Sequence, residues 1–185
     1  SVNHDDLQVD IFSVDPTPTD WSQYERFLDQ RHSETPPDLS VWNQLSSSVV
    51  TTRARDDQLT ETAIDLSAVL EDNLGHVVVR VSSTTEYDGN TEDYFWNLPV
   101  LIWVQATDIG LDAIVDADEL FAWATDLRTG EPLGDVAIQI GADPAHAAQT
   151  NADGLATLAS PTSRTTLVAA TRGADTAIVP NVGLF

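Results

Sequence analysis

The sequence has no cysteine, no methionine and no lysine, and each absence narrows what the chain can do. Without cysteine there are no disulfides, no thiol nucleophile and no Cys-based zinc site, although the compartment stays open. All eight basic residues are arginines against 30 acids, a formal charge of −22, so phosphate backbones and anionic lipid are repelled. Nucleic acid and membrane contact are therefore not expected of this segment. No apolar run reaches the roughly 18 residues that a membrane span needs, and the N-terminus is neither basic nor apolar as a signal peptide would be. Starting at Ser1 and lacking methionine throughout, the sequence is expected to be a segment of something longer. There is no Gly-x-Ser-x-Gly elbow around Ser46-Ser47-Ser48, no phosphate loop and no dinucleotide fingerprint, so no active site is expected.

At 42% hydrophobic residues the 185-residue chain should fold despite its charge. Residues 1–106 carry 19 acids and 5 arginines, and residues 107–185 carry 11 and 3, so the acidity is spread rather than held in a tail. A solvated, aggregation-resistant surface accounts for it, with a cation-binding or salt-adapted surface as the sharper alternative.

The organising stretch runs from Pro99 to Leu127. Val100 to Val104 is a short, β-branched apolar run that suits a strand buried on both faces. Thr107, Asp108 and Gly110 then break it. Ile109, Leu111, Ala113 and Val115 fall on one parity, with Asp108, Asp112 and Asp116 on the other, the period of a strand with one face in a core. Leu120 to Ala124 is apolar and rich in aromatics, and Thr129-Gly130-Glu131-Pro132 carries turn chemistry. Two cores are expected to meet near residue 107, giving domains 1–106 and 107–185 joined stiffly by few residues.

In the first half, residues 5–14 alternate as a strand and Asp15-Pro16-Thr17-Pro18 ends it. Asp20 can cap a helix near 20–31, with Gln23 completing a capping box and Trp21, Tyr24, Phe27 and Leu28 forming its apolar stripe. Gln30 to Ser40, with Pro36-Pro37, should be a loop. A short strand or turn around Leu39 to Leu45, a strand over Val49 to Ala54, an exposed Asp56-Asp57 and a strand pattern from Thr60 towards Leu70 follow. Asn73-Leu74-Gly75 turns into the strong strand His76 to Ser82, Glu86 to Asp93 suits a hairpin tip around Asp88-Gly89-Asn90, and Tyr94 to Val104 closes the domain.

In the second half, Leu133-Gly134-Asp135 leads into Val136, Ile138 and Ile140, and Asn151-Ala152-Asp153-Gly154 into Leu155 and Thr157. Arg164 to Thr171 precedes a turn at Arg172 to Asp175 and a strand over Ala177 to Val179. The expected class is all-β: two consecutive immunoglobulin- or fibronectin-like β-sandwiches, the first with a short inserted helix.

Candidate chemistry is sparse. Asp112, Asp116, Asp118 and Glu119 could converge on a hard cation such as calcium, but their spacing does not match a calcium loop and a strand's solvent face is simpler. Asn151-Ala152-Asp153-Gly154 resembles the start of an EF-hand loop, yet Thr162 stands where the bidentate Glu belongs, and a tight turn explains it. His4, His32, His76 and His146 are scattered without metal-ligand spacing. Trp21, Trp42, Trp96, Trp103 and Trp123 could form a sugar-stacking platform, although most sit in apolar runs that suit a core. No catalytic, cofactor-binding or metal-binding residue is assigned, and no cofactor is expected.

From Val104 to Leu111 (VQATDIGL), then Phe121 to Gly134 (FAWATDLRTGEPLG), then Thr150 to Ala156 (TNADGLA), the ordered motifs resemble consecutive macroglobulin-like domains of the bacterial α2-macroglobulin family. Val14-Asp15-Pro16 with the helix after it, Leu74 to Val79, and Arg172-Gly173 before its apolar run extend the resemblance over most of the chain. It implies a non-catalytic scaffold segment of a large protease inhibitor in the periplasm or at the cell surface, one that is cut in a bait region, changes shape and entraps its attacker. The implied partners are neighbouring macroglobulin domains of the same chain and, through the full-length protein, proteases. No cysteine is present for a thioester, and no bait region is recognisable. The alternatives are a tandem immunoglobulin-like stalk or adhesin module, and an acidic calcium- or carbohydrate-binding module.

Overall fold

Strand β1 (Asp6–Val14) alternates apolar and polar residues, which predicts one wet face, yet it lies between two other strands and is closed on both sides. Val9 and Ile11 are buried on one face, and Asp10 and Phe12 are equally buried on the other. The computed structural model describes residues 4–15, 20–31, 38–53, 60–84, 98–116, 118–159 and 167–180. The turn at 16–18, the polyproline loop at 36–37, Asp56-Asp57 and the hairpin at 88–90 lie outside the described residues, as do His32, Trp96, Thr162 and the start of the 164–171 run.

The chain divides into two compact units: Ser1–Asp15, Gln23–Glu71 and His76–Val104 form the first, and Pro16–Ser22, Asp72–Gly75 and Gln105–Phe185 the second. In the first, β1 is flanked by β2 (Asn43–Thr51) and β3 (Gly75–Ser83), both antiparallel to it, and β4 (Val100–Ala106) follows at the edge, in the order β2-β1-β3-β4. Leu39 to Trp42 form the turn option expected there, and Asn43 to Leu45 run on into Val49 to Thr51 as one strand, whose register against β1 shifts at a bulge between Ile11 and Phe12. Val9, Ile11, Val77 and Val79 form the core of one face, with Ile64, Leu66, Val69 and Leu70 against them.

Residues 60–66 do alternate between half-buried and exposed, but they form no ladder. Period two there records an extended chain lying on a core, not a paired strand, which corrects the expected strand towards Leu70. Edge position also corrects the expectation for Val100 to Val104. Only Leu101 is buried, while Val100 and Ile102 are exposed.

Helix α1 (Ser22–Arg31) starts where expected, because Asp20 accepts a hydrogen bond from the Ser22 amide at 2.9 Å. The reciprocal half of the box is redirected: Gln23 Oε1 accepts from the Asp15 amide at 3.4 Å. Tyr24 and Phe27 meet Trp103 of β4 edge-on, with centroids at 5.1 and 5.7 Å, a favoured arrangement of ring quadrupoles.

Among its described residues the second unit holds seven strands in two antiparallel sheets. β5 (Ile109–Asp116), β6 (Glu119–Asp126) and β9 (Leu155–Ala159) form one in the order β5-β6-β9. β7 (Ala137–Ile140), β8 (Ala147–Gln149), β10 (Val168–Arg172) and β11 (Asp175–Val179) form the other in the order β11-β10-β7-β8. Ile109, Leu120, Ala122, Ala124, Ala156 and Leu158 from the first sheet meet Val136, Ile138, Ile140, Val168, Ala170 and Ala177 from the second. Five of these twelve positions are alanines, which let the two sheets approach while Leu120 and Ile138 fill the centre.

Only Thr107 and Asp108 separate β4 from β5, and Gln105 to Ile109 are bonded within the second unit. The Gln105 side-chain amide donates to the Ile178 carbonyl at 3.2 Å and accepts from the Ile178 amide at 2.9 Å, replacing one rung of a ladder on β11. The Asp108 amide donates to Asp175 Oδ2 at 3.0 Å, and Thr107 Oγ1 accepts from the Ile109 amide at 3.0 Å. Gly110 lies inside β5 rather than in the break, and a Cβ there would sit 2.7 Å from Thr125 Oγ1. Gln105→Ala removes both bonds to Ile178 and is expected to cost about 1 kcal/mol, read as a lower urea midpoint at unchanged slope. An unchanged midpoint would show that water replaces the amide at no cost.

Candidate functional site

Two side-chain constellations stand out, one centred on a buried carboxylate and one open to solvent. In the first unit Asp10, 2% exposed, is the acceptor at the centre of a polar network. Its Oδ1 takes hydrogen bonds from Ser47 Oγ at 2.7 Å, Gln8 Nε2 at 2.9 Å and Gln44 Nε2 at 3.3 Å. Its Oδ2 takes them from Arg80 Nε at 2.8 Å and from Arg80 Nη2. Register explains the cluster, since Asp10 stands opposite Arg80 on β3 and opposite Ser47 on β2. Burial pushes the carboxyl up, but the bonds from Ser47, Gln8 and Arg80 and the guanidinium charge outweigh it and hold Asp10 below the usual carboxylate range. Every strong acceptor position is taken, so the network is a structural tie. Sequence reading gave Asp10 a place in the first strand and no role; the signal that could have found it is a lone Arg80 inside the otherwise apolar run Val77 to Val81.

The open constellation is the outer face of the β5-β6-β9 sheet. Cross-strand register sets its rows: Asp112, Trp123 and Leu155 in one, Ile114, Phe121 and Thr157 in the next, Asp116, Glu119 and Ala159 in the third. Ile114 is 64% exposed, Trp123 and Leu155 48% each, and Phe121 41%. Asp112, Asp116 and Glu119 are exposed around them. Among the described residues, the two ion pairs are Arg80–Asp10 and Arg128–Asp108, neither on this face. This arrangement can bind a surface; it holds no general base beside a nucleophile.

The carboxylates read as a possible calcium site are dispersed along that face: Asp112 accepts from the Ala113 amide at 2.9 Å, and Asp116 and Glu119 pair across the β5–β6 hairpin. Among the described residues no group of three or more His, Asp or Glu could hold a metal ion. Asn151 builds the expected turn, its Oδ1 accepting from the amides of Asp153 at 2.9 Å and Leu155 at 3.0 Å. His4 meets Ser83 Oγ at 3.1 Å, buried His76 accepts the Trp103 indole N–H at 3.0 Å, and His146 closes a single 3-10 turn at Pro144–His146. Trp21 and Trp42 are buried and Trp103 is half-buried, but Trp123 is not core. The four described tryptophans therefore do not assemble into one platform. No described helix is long and apolar enough to cross a membrane.

A helix-bearing antiparallel sheet followed by a seven-stranded, two-sheet unit is the architecture of adjacent domains in a bacterial alpha-2-macroglobulin. The particular likeness is to native alpha-2-macroglobulin from Escherichia coli. Against a crystal structure spanning its domains NIE-MG1 the TM-score is 0.72 at 16% identity, covering 97% of this chain and 85% of that one. Against one spanning MG0-NIE-MG1 it is 0.68 at 15% identity, with 97% of this chain and 56% of that one covered. Against the cryo-EM reconstruction of the native conformation it is 0.60 at 16% identity, and the chain spans 11% of that structure. No family model matches the sequence, and no curated protein matches it. The likeness establishes the fold.

Proposed function

We propose that this chain is a non-catalytic scaffold segment of a bacterial alpha-2-macroglobulin-like protease inhibitor, with residues 1–106 as an NIE-like domain and 107–185 as a macroglobulin-like domain. The observation that carries the reading is a fold match running through both units over 97% of the chain. The Asp10 network and the Gln105–Ile178 bonds fit a structural role rather than chemistry. Function then lies in the intact inhibitor: proteases cleave it and are held, and the neighbours of this segment are further domains of the same polypeptide in an extracytoplasmic location. The test is to mix the intact protein containing this chain with a serine protease. Entrapment leaves cleavage of a small peptide substrate intact and suppresses digestion of a large protein substrate. Equal digestion of both substrates overturns the reading.

A further inference from the structure

The outer face of β5-β6-β9 is apolar at its centre and acidic at its margin, and the two properties together specify what can cover it. Its central residues Ile114, Phe121, Trp123 and Leu155 leave large side chains in water, which is unfavourable by area alone and marks an interaction surface when the patch is contiguous. The eleven outward positions of the three strands, read from the register, include Asp112, Asp116 and Glu119 and no arginine. These carboxylates have no ion pair among the described residues, so their charge is available to a ligand. A second copy would bring the same acids against them from a chain of formal charge −22, and juxtaposed like charges oppose docking.

We propose that this face docks an arginine-bearing, otherwise apolar segment of another polypeptide. Trp123 and Asp112 are direct cross-strand partners, so their Cβ atoms stand about 5 Å apart. A guanidinium laid over the indole can therefore stack on the ring while its N–H edge pairs with the Asp112 carboxylate. Arginine suits this better than lysine, because it is planar and presents a fork of donors. Aliphatic residues two positions along the incoming strand would then meet Ile114 and Phe121, and a second cation would reach Asp116 and Glu119. The inference concerns this chain's own surface and does not rest on the protease-trap reading.

The probe is a fluorescein-labelled, end-blocked peptide of the repeat Arg-Ser-Val-Ser, which sets arginine and valine by turns on one face of an extended strand, titrated with the 185-residue chain by anisotropy, beside peptides carrying glutamate or lysine in place of arginine. The arginine peptide should bind saturably, more tightly than the lysine peptide, with no binding of the glutamate peptide. Trp123→Ala and the triple variant Asp112→Asn, Asp116→Asn, Glu119→Gln should each weaken binding about tenfold, and the triple variant should also flatten its salt dependence. Ile114→Ser, at a side chain two-thirds in water, supplies a variant with an intact core and should weaken binding severalfold. Absence of saturable binding, equal binding of the glutamate peptide, or unchanged affinity in Trp123→Ala and the triple variant overturns the proposal. So does concentration-dependent dimerisation in ultracentrifugation that Ile114→Ser abolishes, which would assign the face to a second copy.

Discussion

Gly154→Ala is expected to destabilise the second unit by about 3 kcal/mol or more, and Gly173→Ala by only about 1 kcal/mol. Both glycines adopt left-handed backbone, φ +75° and +65° respectively. A Cβ at 173 meets nothing within 4 Å, so its cost is the conformational term alone. At 154 the added atom would collide with the Ala124 carbonyl oxygen and lie 3.2 Å from the Leu133 amide nitrogen. Those two backbone groups cannot yield, because the Leu133 amide donates to Ala124 O at 2.9 Å and the Ala124 amide donates to Gly154 O at 2.8 Å. Urea unfolding of the two variants in parallel separates conformational strain from collision. Equal losses would mean that the turn from Asn151 to Leu155 can move away from β6.

Asp10→Ala should cost about 3 kcal/mol, because it strands the Arg80 guanidinium and removes the acceptor of Ser47, Gln8 and Gln44 together. Arg80 is one-third exposed and can partly rehydrate, which keeps the cost below that of a fully buried orphan charge. The same residue makes stability depend on pH. Its carboxyl is held below the ordinary value of about 3.9 when folded, so its contribution is complete above about pH 4 and fades as pH falls through the lowered folded value. Asp126 adds to the same acid limb, since the Thr129 and Arg128 amides bond its carboxylate and lower its pKa in the turn after β6. Thermal melts below pH 5 should therefore show Asp10→Asn losing stability more shallowly than the parent. Parallel slopes would place the acid sensitivity elsewhere.

The chain's all-β character and the strand after residue 107 were legible because their causes are local. Period two in Ile109 to Asp116, the Asp20 cap and the Asn-Ala-Asp-Gly turn each need only a few neighbouring residues. What was hidden depended on partners distant in sequence. Asp10 looks solvated until Arg80 and Ser47 arrive from β3 and β2. Residues 60–66 alternate because they lie on a core formed by β1 and β3, and alternation alone cannot distinguish this from pairing.

The candidate surface was half legible for a different reason. Ile114 shares the parity of Asp112 and Asp116, which marks it as outward. In β6, however, the large residues Phe121 and Trp123 face out while Ala122 and Ala124 face in, the reverse of what side-chain size suggests. The acids also have a second use that charge counting misses. Asp20, Asp38, Asp65, Asp126 and Asp143 each accept an amide two residues ahead, a turn geometry that the shorter carboxylate reaches and glutamate does not.

The Gln105 amide has a consequence for the outer edge of the β11-β10-β7-β8 sheet. β11 ends its sheet, and a bare terminal strand is a template on which another molecule's strand can zip, seeding polymers. At Ile178 both outward backbone groups are already engaged by a side chain from the same molecule. An incoming strand would first have to evict that amide and would then lose a rung of its own ladder, so Gln105 works as a stopper against end-on growth of the sheet.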